Sequence, residues 1–337
     1  MADSESIPHP SRAARAVGSL AKAAVSLALL AIVLWRVPVG DAIQGVLSLS
    51  APALVASVLL TFAFPALAAL RWKRALQRLG SHVPWLGLMA DTLVASTYNM
   101  LLPTSIGGDV VRAMRCARRT DRPSHAWSSA VFERLVGLVA LVLLAVPGVV
   151  MAPGARGQIS IALALVAVVS GLLVFTAHAP LRWAARVLAR RAPVVARIGG
   201  DLADDLSGPL ASLGARVEML AWSTAYQAVG LGLLGVVVVD WGRPALWWAV
   251  LGAVPLALVL AMLPVSIAGL GVRESLFVVL LGRFGVAPPQ ALALAVVWLA
   301  SALLLALAGG AVMMVEAASA AHHDEHRAAT PPHREKC

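Results

Sequence analysis

The sequence predicts an all-α, polytopic integral membrane helix bundle with about six spans, two re-entrant hairpins and an inverted internal repeat. Three observations lead there. The 337 residues are 60% hydrophobic and 13% charged, against about 25% charged in a soluble domain. Several apolar runs exceed the ~18 residues that suggest a membrane span, and "SIALALVAVVSGLLVF" (160–175) has no charged face to offer water. One phrase is also written twice: LPTSIGGDVVR at 102–112 and LPVSIAGLGVR at 263–273 align without a gap, 161 positions apart.

In chain order, spans are expected at 17–35, 52–70, 127–151, 159–178, 217–239 and 290–315. Two further apolar segments, 86–106 and 245–268, each end in the repeated phrase. The first run is flanked by Arg12 and Arg15, contains Lys22 and lacks a small-x-small cleavage site, so it reads as a retained signal anchor. Lys and Arg mark the cytoplasmic side. The basic tail 1–16 is placed inside, and the link 37–51, free of Lys and Arg, outside. "RWKR" (71–74) with Arg78 returns inside. Arg112, Arg115, Arg118, Arg119 and Arg122 follow the first phrase. Segment 86–106 thus has inside loops on both flanks, which a hairpin satisfies and a single crossing does not.

Span 127–151 then goes out and 159–178 returns to the loop 179–216, which holds Arg182, Arg186, Arg190, Arg191 and Arg197. Span 217–239 reaches an outer link with Asp240 and Arg243. The last span ends inside with the tail that carries Arg327, Arg334 and Lys336, which makes 245–268 a hairpin entering from the outer face. Two copies entering the bilayer from opposite sides are the pattern of an inverted-repeat transporter, with its site near the midplane on broken helices. The membrane domain is expected over 17–316, followed by a disordered cytoplasmic tail, 317–337.

Each residue type in the phrase has a physical job. Pro103 and Pro264 remove a helix hydrogen bond. Gly107, Gly108, Gly269 and Gly271 permit turns closed to other residues. Ser105 and Ser266 can satisfy backbone groups freed by the break. A helix starting after the glycines aims its N–H groups at the turn and attracts anions. Arg112 and Arg273 add bidentate partners for phosphate. The plain alternative is a packing kink with arginines snorkelling to the interface; an Arg in both copies favours the anion site. The copies differ: Asp109 stands where the second has Leu270, Glu274 follows only Arg273, and Tyr98 and Asn99 precede only the first. That asymmetry suits a substrate with one charged end and one apolar end.

"FERLVG" (132–137) sets Glu133 and Arg134 about six residues into a span, roughly 9 Å deep, where charges are paired or line a cavity. Glu133 is placed to pair with Arg112, or Arg134 with Asp109; a structural ion pair near the interface is the alternative. Asp91 is a weaker candidate of the same kind. In 179–216, Arg182, Arg186 and Arg190 recur every four residues, as in an amphipathic helix lying on an anionic inner leaflet. The tail histidines His322, His323, His326 and His333 read as disordered sequence rather than a metal site. Cys116 and Cys337 form neither a disulfide framework nor a metal spacing. The net charge of +10 fits anionic lipid and does not call for nucleic acid. The chain has no G-x-x-x-x-G-K-[ST], H-E-x-x-H or G-x-S-x-G motif.

The ordered set "RWKRAL", "NMLLPTSIGGDVVR", "FERLVG" and "LPVSIAGLGVRE" resembles the flippase-like family built on the membrane region of lysylphosphatidylglycerol synthase, over about residues 15 to 316. The resemblance implies a polytopic inner-membrane protein that moves a lipid-linked polar headgroup across the bilayer. In the full synthases a soluble C-terminal domain transfers lysine from lysyl-tRNA to phosphatidylglycerol. This chain stops soon after its last span, so no aminoacyl transfer is expected of it. Stand-alone members occur beside glycolipid or polyprenyl-phosphate pathways. By likeness, Ser105, Asp109, Arg112, Glu133, Arg134, Ser266, Arg273 and Glu274 fall on the family's motif positions.

The expected function is translocation, between leaflets, of an anionic or zwitterionic (glyco)phospholipid or polyprenyl-phosphate-linked lipid, without a cofactor. The expected site is Asn99, Ser105, Gly107, Gly108, Asp109, Arg112, Glu133, Arg134, Ser266, Gly269, Arg273 and Glu274. The alternatives are an intramembrane enzyme with Asp109 or Glu133 as base, or a scaffold for cell-envelope synthesis. The expected partners are membrane lipids and a cell-envelope synthase or glycosyltransferase, with a homodimer allowed. The expected location is the cytoplasmic membrane, with both termini inside.

Overall fold

The structure, a computed structural model, describes residues 31, 35, 37–102, 107–151, 156–176, 178–188, 193–262 and 271–329. Among these the chain forms twelve helices and no strand. They are α1 (Val39–Leu47), α2 (Ala51–Arg78), α3 (Trp85–Leu101), α4 (Gly107–Ala117), α5 (Pro123–Met151), α6 (Arg156–Thr176), α7 (His178–Leu188), α8 (Pro193–Ser207), α9 (Leu213–Asp240), α10 (Leu246–Ala261), α11 (Val272–Arg283) and α12 (Pro288–Ala329). Four are long and apolar enough to cross a membrane: α2, α5, α9 and the Pro288–Ser319 part of α12. α6 lies over the span expected at 159–178. Most of the run 17–35, Pro103, Ser105, Pro264, Ser266 and Gly269 lie outside the described residues, as do the side chains of His322, His323, His326 and His333.

α2 begins at Ser50, whose hydroxyl accepts from the Ala53 N–H, and carries Pro65 within it. The antiparallel seam of α2 with α9 is tied at both ends. Arg78 pairs with Glu218 at one end, and Asp240 accepts from the Ser50 backbone N–H at 3.0 Å at the other. The broken pairs α3/α4 and α10/α11 each fold back on themselves and rest on a long helix from the far part of the chain. α3 lies on α12 and α10 on α5. Glycines allow both approaches: a Cβ on Gly309 would stand 2.0 Å from the Leu93 carbonyl oxygen, and one on Gly148 would stand 2.2 Å from the Gly252 nitrogen. The Thr97 hydroxyl adds a 2.7 Å bond to the Ala306 carbonyl. The largest apolar core joins α9, α10, α11 and the start of α12 around Leu234, Val250, Phe277 and Leu294.

Several expectations change. The second span does not end at residue 70. Ala68, Ala69, Trp72, Ala75 and Leu76 continue its buried stripe to Arg78, so "RWKR" is helix rather than loop. The outer link 37–51 contains the short helix α1, with Ala42 buried and Ile43 and Leu47 exposed. The loop 179–216 is two helices, not one; Pro193 starts the second, and Arg182 joins them through Asp204 at 2.9 Å. The last helix runs past 317 to Ala329, because Ala-rich "EAASAAHHDEHRAA" holds no helix breaker before Pro331.

Candidate functional site

The two arms of the first broken pair meet at glycine. A Cβ on Gly108 would lie 2.3 Å from the Ala95 carbonyl oxygen, so only glycine lets α4 start so close to α3. The Gly108 N–H, freed at the helix start, donates to Asn99 Oδ1 at 2.9 Å. Gly108 and Asn99 are thereby accounted for by packing and capping. Gly107 is the first residue of α4.

Behind this crossing lies a cavity of about 230 Å³, lined from α2, α3, α4, α5 and α9. Five charged side chains alternate along its wall. Arg71 Nε donates to Glu133 Oε1 at 2.9 Å. Glu133 Oε2 lies 3.2 Å from Arg112 Nη1, and Arg112 Nε lies 3.0 Å from Asp109 Oδ1. Asp109 Oδ2 accepts from Arg134 Nε at 2.7 Å. The two pairings that the sequence offered as alternatives, Glu133 with Arg112 and Arg134 with Asp109, are both present. Aromatic faces support the cations: Arg71 sits 4.5 Å from the Tyr226 ring centroid and Arg112 sits 4.7 Å from that of Trp72.

Burial gives the chain of charges its meaning. Glu133 is 1% exposed, and Arg71 and Arg112 are each 6% exposed. α5 starts at Pro123, so Glu133 stands ten residues in, about 15 Å along the helix. Taking such ions out of water costs several kcal/mol each. Arg112 Nε and Glu133 Oε2 are close enough for ion pairing, yet neither has a hydrogen-bond partner among the described residues. Hydrogen-bonding capacity is thus left over within the ion-paired chain. Among the described lining residues, three guanidiniums face two carboxylates, an excess of one positive charge.

The cavity thus gathers Asn99, Asp109, Arg112, Glu133 and Arg134 from the expected set. The family model for the lysylphosphatidylglycerol synthase TM region matches residues 19–310. The chain belongs to that family. In this family member the second phrase makes different contacts. Arg273 turns to its neighbour, with Nη2 3.2 Å from Glu274 Oε1. Glu274 Oε2 in turn caps the Gly271 N–H at 2.7 Å, where φ is +78°. Neither Arg273 nor Glu274 is among the described lining residues of the cavity. Comparison with curated proteins returned no match, and neither did comparison with solved structures.

Arg71, Tyr226 and Gln227 are among the lining residues that the sequence did not single out. Arg71 was counted as loop charge; the clue is that it shares a helix face with Ala68, Trp72 and Ala75, while Arg74 points away. Tyr226 and Gln227 also line the cavity, and their signal was the polar set Ser223, Tyr226 and Gln227 on one face of an apolar helix. Asp91 belongs elsewhere. It is buried and holds Arg115 at 2.6 Å and Arg119 at 2.9 Å, and Arg115 reaches Glu316 on α12 at 2.6 Å. This network ties the first broken pair to α12.

Proposed function

We propose that this membrane protein translocates an anionic or zwitterionic lipid between leaflets by holding its phosphate in the Arg71–Arg112–Arg134 cavity. The observation that carries the reading is the excess of one guanidinium in a buried, charge-lined cavity, since buried charge within a bilayer marks a substrate path. The size supports a headgroup. At ~30 Å³ per water, 230 Å³ holds about eight water volumes, room for a phosphate with a short polar group while the hydrocarbon chains stay in lipid. The carboxylates argue against an intramembrane base. Glu133 lies between two guanidiniums and Asp109 between two, so neither carboxylate is left open to a substrate.

The proposed motion is alternating access between two inverted halves. Its support is a set of paired contacts. α2 and α9, which begin the two halves, run antiparallel. The first broken pair rests on the last helix of the second half and the second rests on α5 of the first half. Gly148 and Gly309, which make those contacts, stand 161 positions apart, the spacing of the duplicated phrase. With α6 and the run 17–35 as further crossings, this gives six spans and two re-entrant hairpins in a cytoplasmic membrane with both termini inside.

The deciding experiment is a leaflet-exposure assay in proteoliposomes with labelled phosphatidylglycerol, phosphatidylethanolamine and phosphatidic acid. Protein-dependent exposure of at least one, lost in Arg112→Gln, is expected. No protein-dependent exposure of any of them ends the proposal.

A further inference from the structure

A second concavity, of about 550 Å³, lies at the opposite end of the bundle from the Arg78–Glu218 pair, beside the Ser50–Asp240 tie. Three elements converge on it: α1, the turn after α9, and the start of α12. Its polar lining is Asp41, Ser48, Asp240, Arg243 and Gln290, with the indole of Trp241 among them. Two parts of this lining are held in place. The Trp241 ring N–H donates to the Gly45 carbonyl at 2.9 Å, and Asp240 is fixed by Ser50. The side chains of Asp41, Arg243 and Gln290 make no hydrogen bond or ion pair among the described residues, so their donors and acceptors remain available.

The chemistry of this lining is selective. Two carboxylates against one guanidinium disfavour an anion, unlike the inner cavity. A purely apolar ligand would leave Asp41, Arg243 and Gln290 uncompensated. Carboxylates that accept, a guanidinium and an amide that donate, and an aromatic face together suit a ligand with many hydroxyls and apolar C–H faces. Position adds to this. On α1, beside the cleft, Ile43 is 49% and Leu47 78% exposed, as on a short helix whose apolar side lies in lipid at the headgroup level.

We propose that this cleft is a second headgroup site, for a hydroxyl-rich, sugar-like group on a lipid at the membrane face opposite the Arg78 end. The cleft would receive the headgroup as it leaves or approaches the inner cavity, and in that respect the inference rests on the translocation reading. Binding itself does not.

Saturation-transfer NMR on the full chain in a sugar-free detergent tests it, with methyl β-glucoside, choline and methyl phosphate as separate probes. Transfer to the glucoside ring protons is expected, with the signal weakened about tenfold in Asp41→Ala/Arg243→Ala, as for loss of hydrogen bonds to charged groups. Both residues are at the surface, so the variant should fold; Gln290→Ala gives an independent second reading. Arg112→Gln, which disables the inner cavity, should leave the glucoside signal unchanged, so the two proposals fail separately. Transfer to choline or methyl phosphate but not to glucoside overturns the assignment. So does the absence of transfer to any probe, or a glucoside signal that survives both cleft variants.

Discussion

Arg71 and Glu133 meet at 2.9 Å inside the bundle, both almost fully buried, from helices whose sequences are 62 residues apart. Glu133 turns its other oxygen toward Arg112, so one carboxylate organises two cations. Removing one partner of a buried pair costs about 3–5 kcal/mol, because a charge is left uncompensated. Arg71→Ala and Glu133→Ala should therefore each lower the unfolding temperature in detergent sharply. Arg71→Met combined with Glu133→Leu removes one charge of each sign and should recover much of that loss. If the double variant melts as low as the singles, the pair is not the organising contact.

Cavity volume can be tested without touching a charge. A Cβ on Gly137 would sit 3.8 Å from Arg71 Nη1 and 3.8 Å from Gln227 Nε2, an ordinary contact distance. Gly137→Ala should be nearly neutral. Gly137→Leu should fold, fill the space and cut lipid exposure at least about tenfold in the proteoliposome assay. Full activity in Gly137→Leu would move the substrate elsewhere.

The glycine contacts make a stability prediction. Gly148→Ala and Gly309→Ala place a methyl against backbone that cannot yield, and each should destabilise by about 1–3 kcal/mol or more. A Cβ on Gly310, the next residue along, meets nothing within 4 Å. Gly310→Ala should match the parent or exceed it slightly through helix propensity. Thermal unfolding of the three variants side by side checks the ordering.

Inverted topology is tested by labelling. Arg122 and Arg283 are 161 positions apart and both exposed. In a background with Cys116→Ala and Cys337→Ala, a membrane-impermeant maleimide should reach Arg122→Cys from one side of oriented vesicles and Arg283→Cys from the other. Both labelling from the same side means parallel halves.

How much was legible beforehand depended on whether a residue's surroundings were local. Glu133 and Arg134 stood in an apolar run where charge must be compensated, and Asp109 and Arg112 were the cations' and anions' natural counterparts; all four line the cavity. The helix breaks at the two phrases were legible from Pro and Gly. Arg71 was not, because a basic cluster at the end of an apolar run looks the same whether the helix stops or continues. The surroundings of Arg273 were hidden for a related reason. A repeated phrase copies its own letters but not its neighbours. Glu133, which faces Arg112, has Leu294 at the matching position, and among the described residues Arg273 pairs with Glu274.

The seating of α3 on α12 bears on how the chain is made. Thr97 and its acceptor Ala306 are separated by 209 residues, so the first hairpin leaves the ribosome long before its cradle exists. Asp91 and Arg115 then wait in the insertion machinery without Glu316. Assembly is therefore completed only after synthesis of the final helix, and chains truncated ahead of it should be caught by membrane quality-control proteases instead of accumulating as half-proteins.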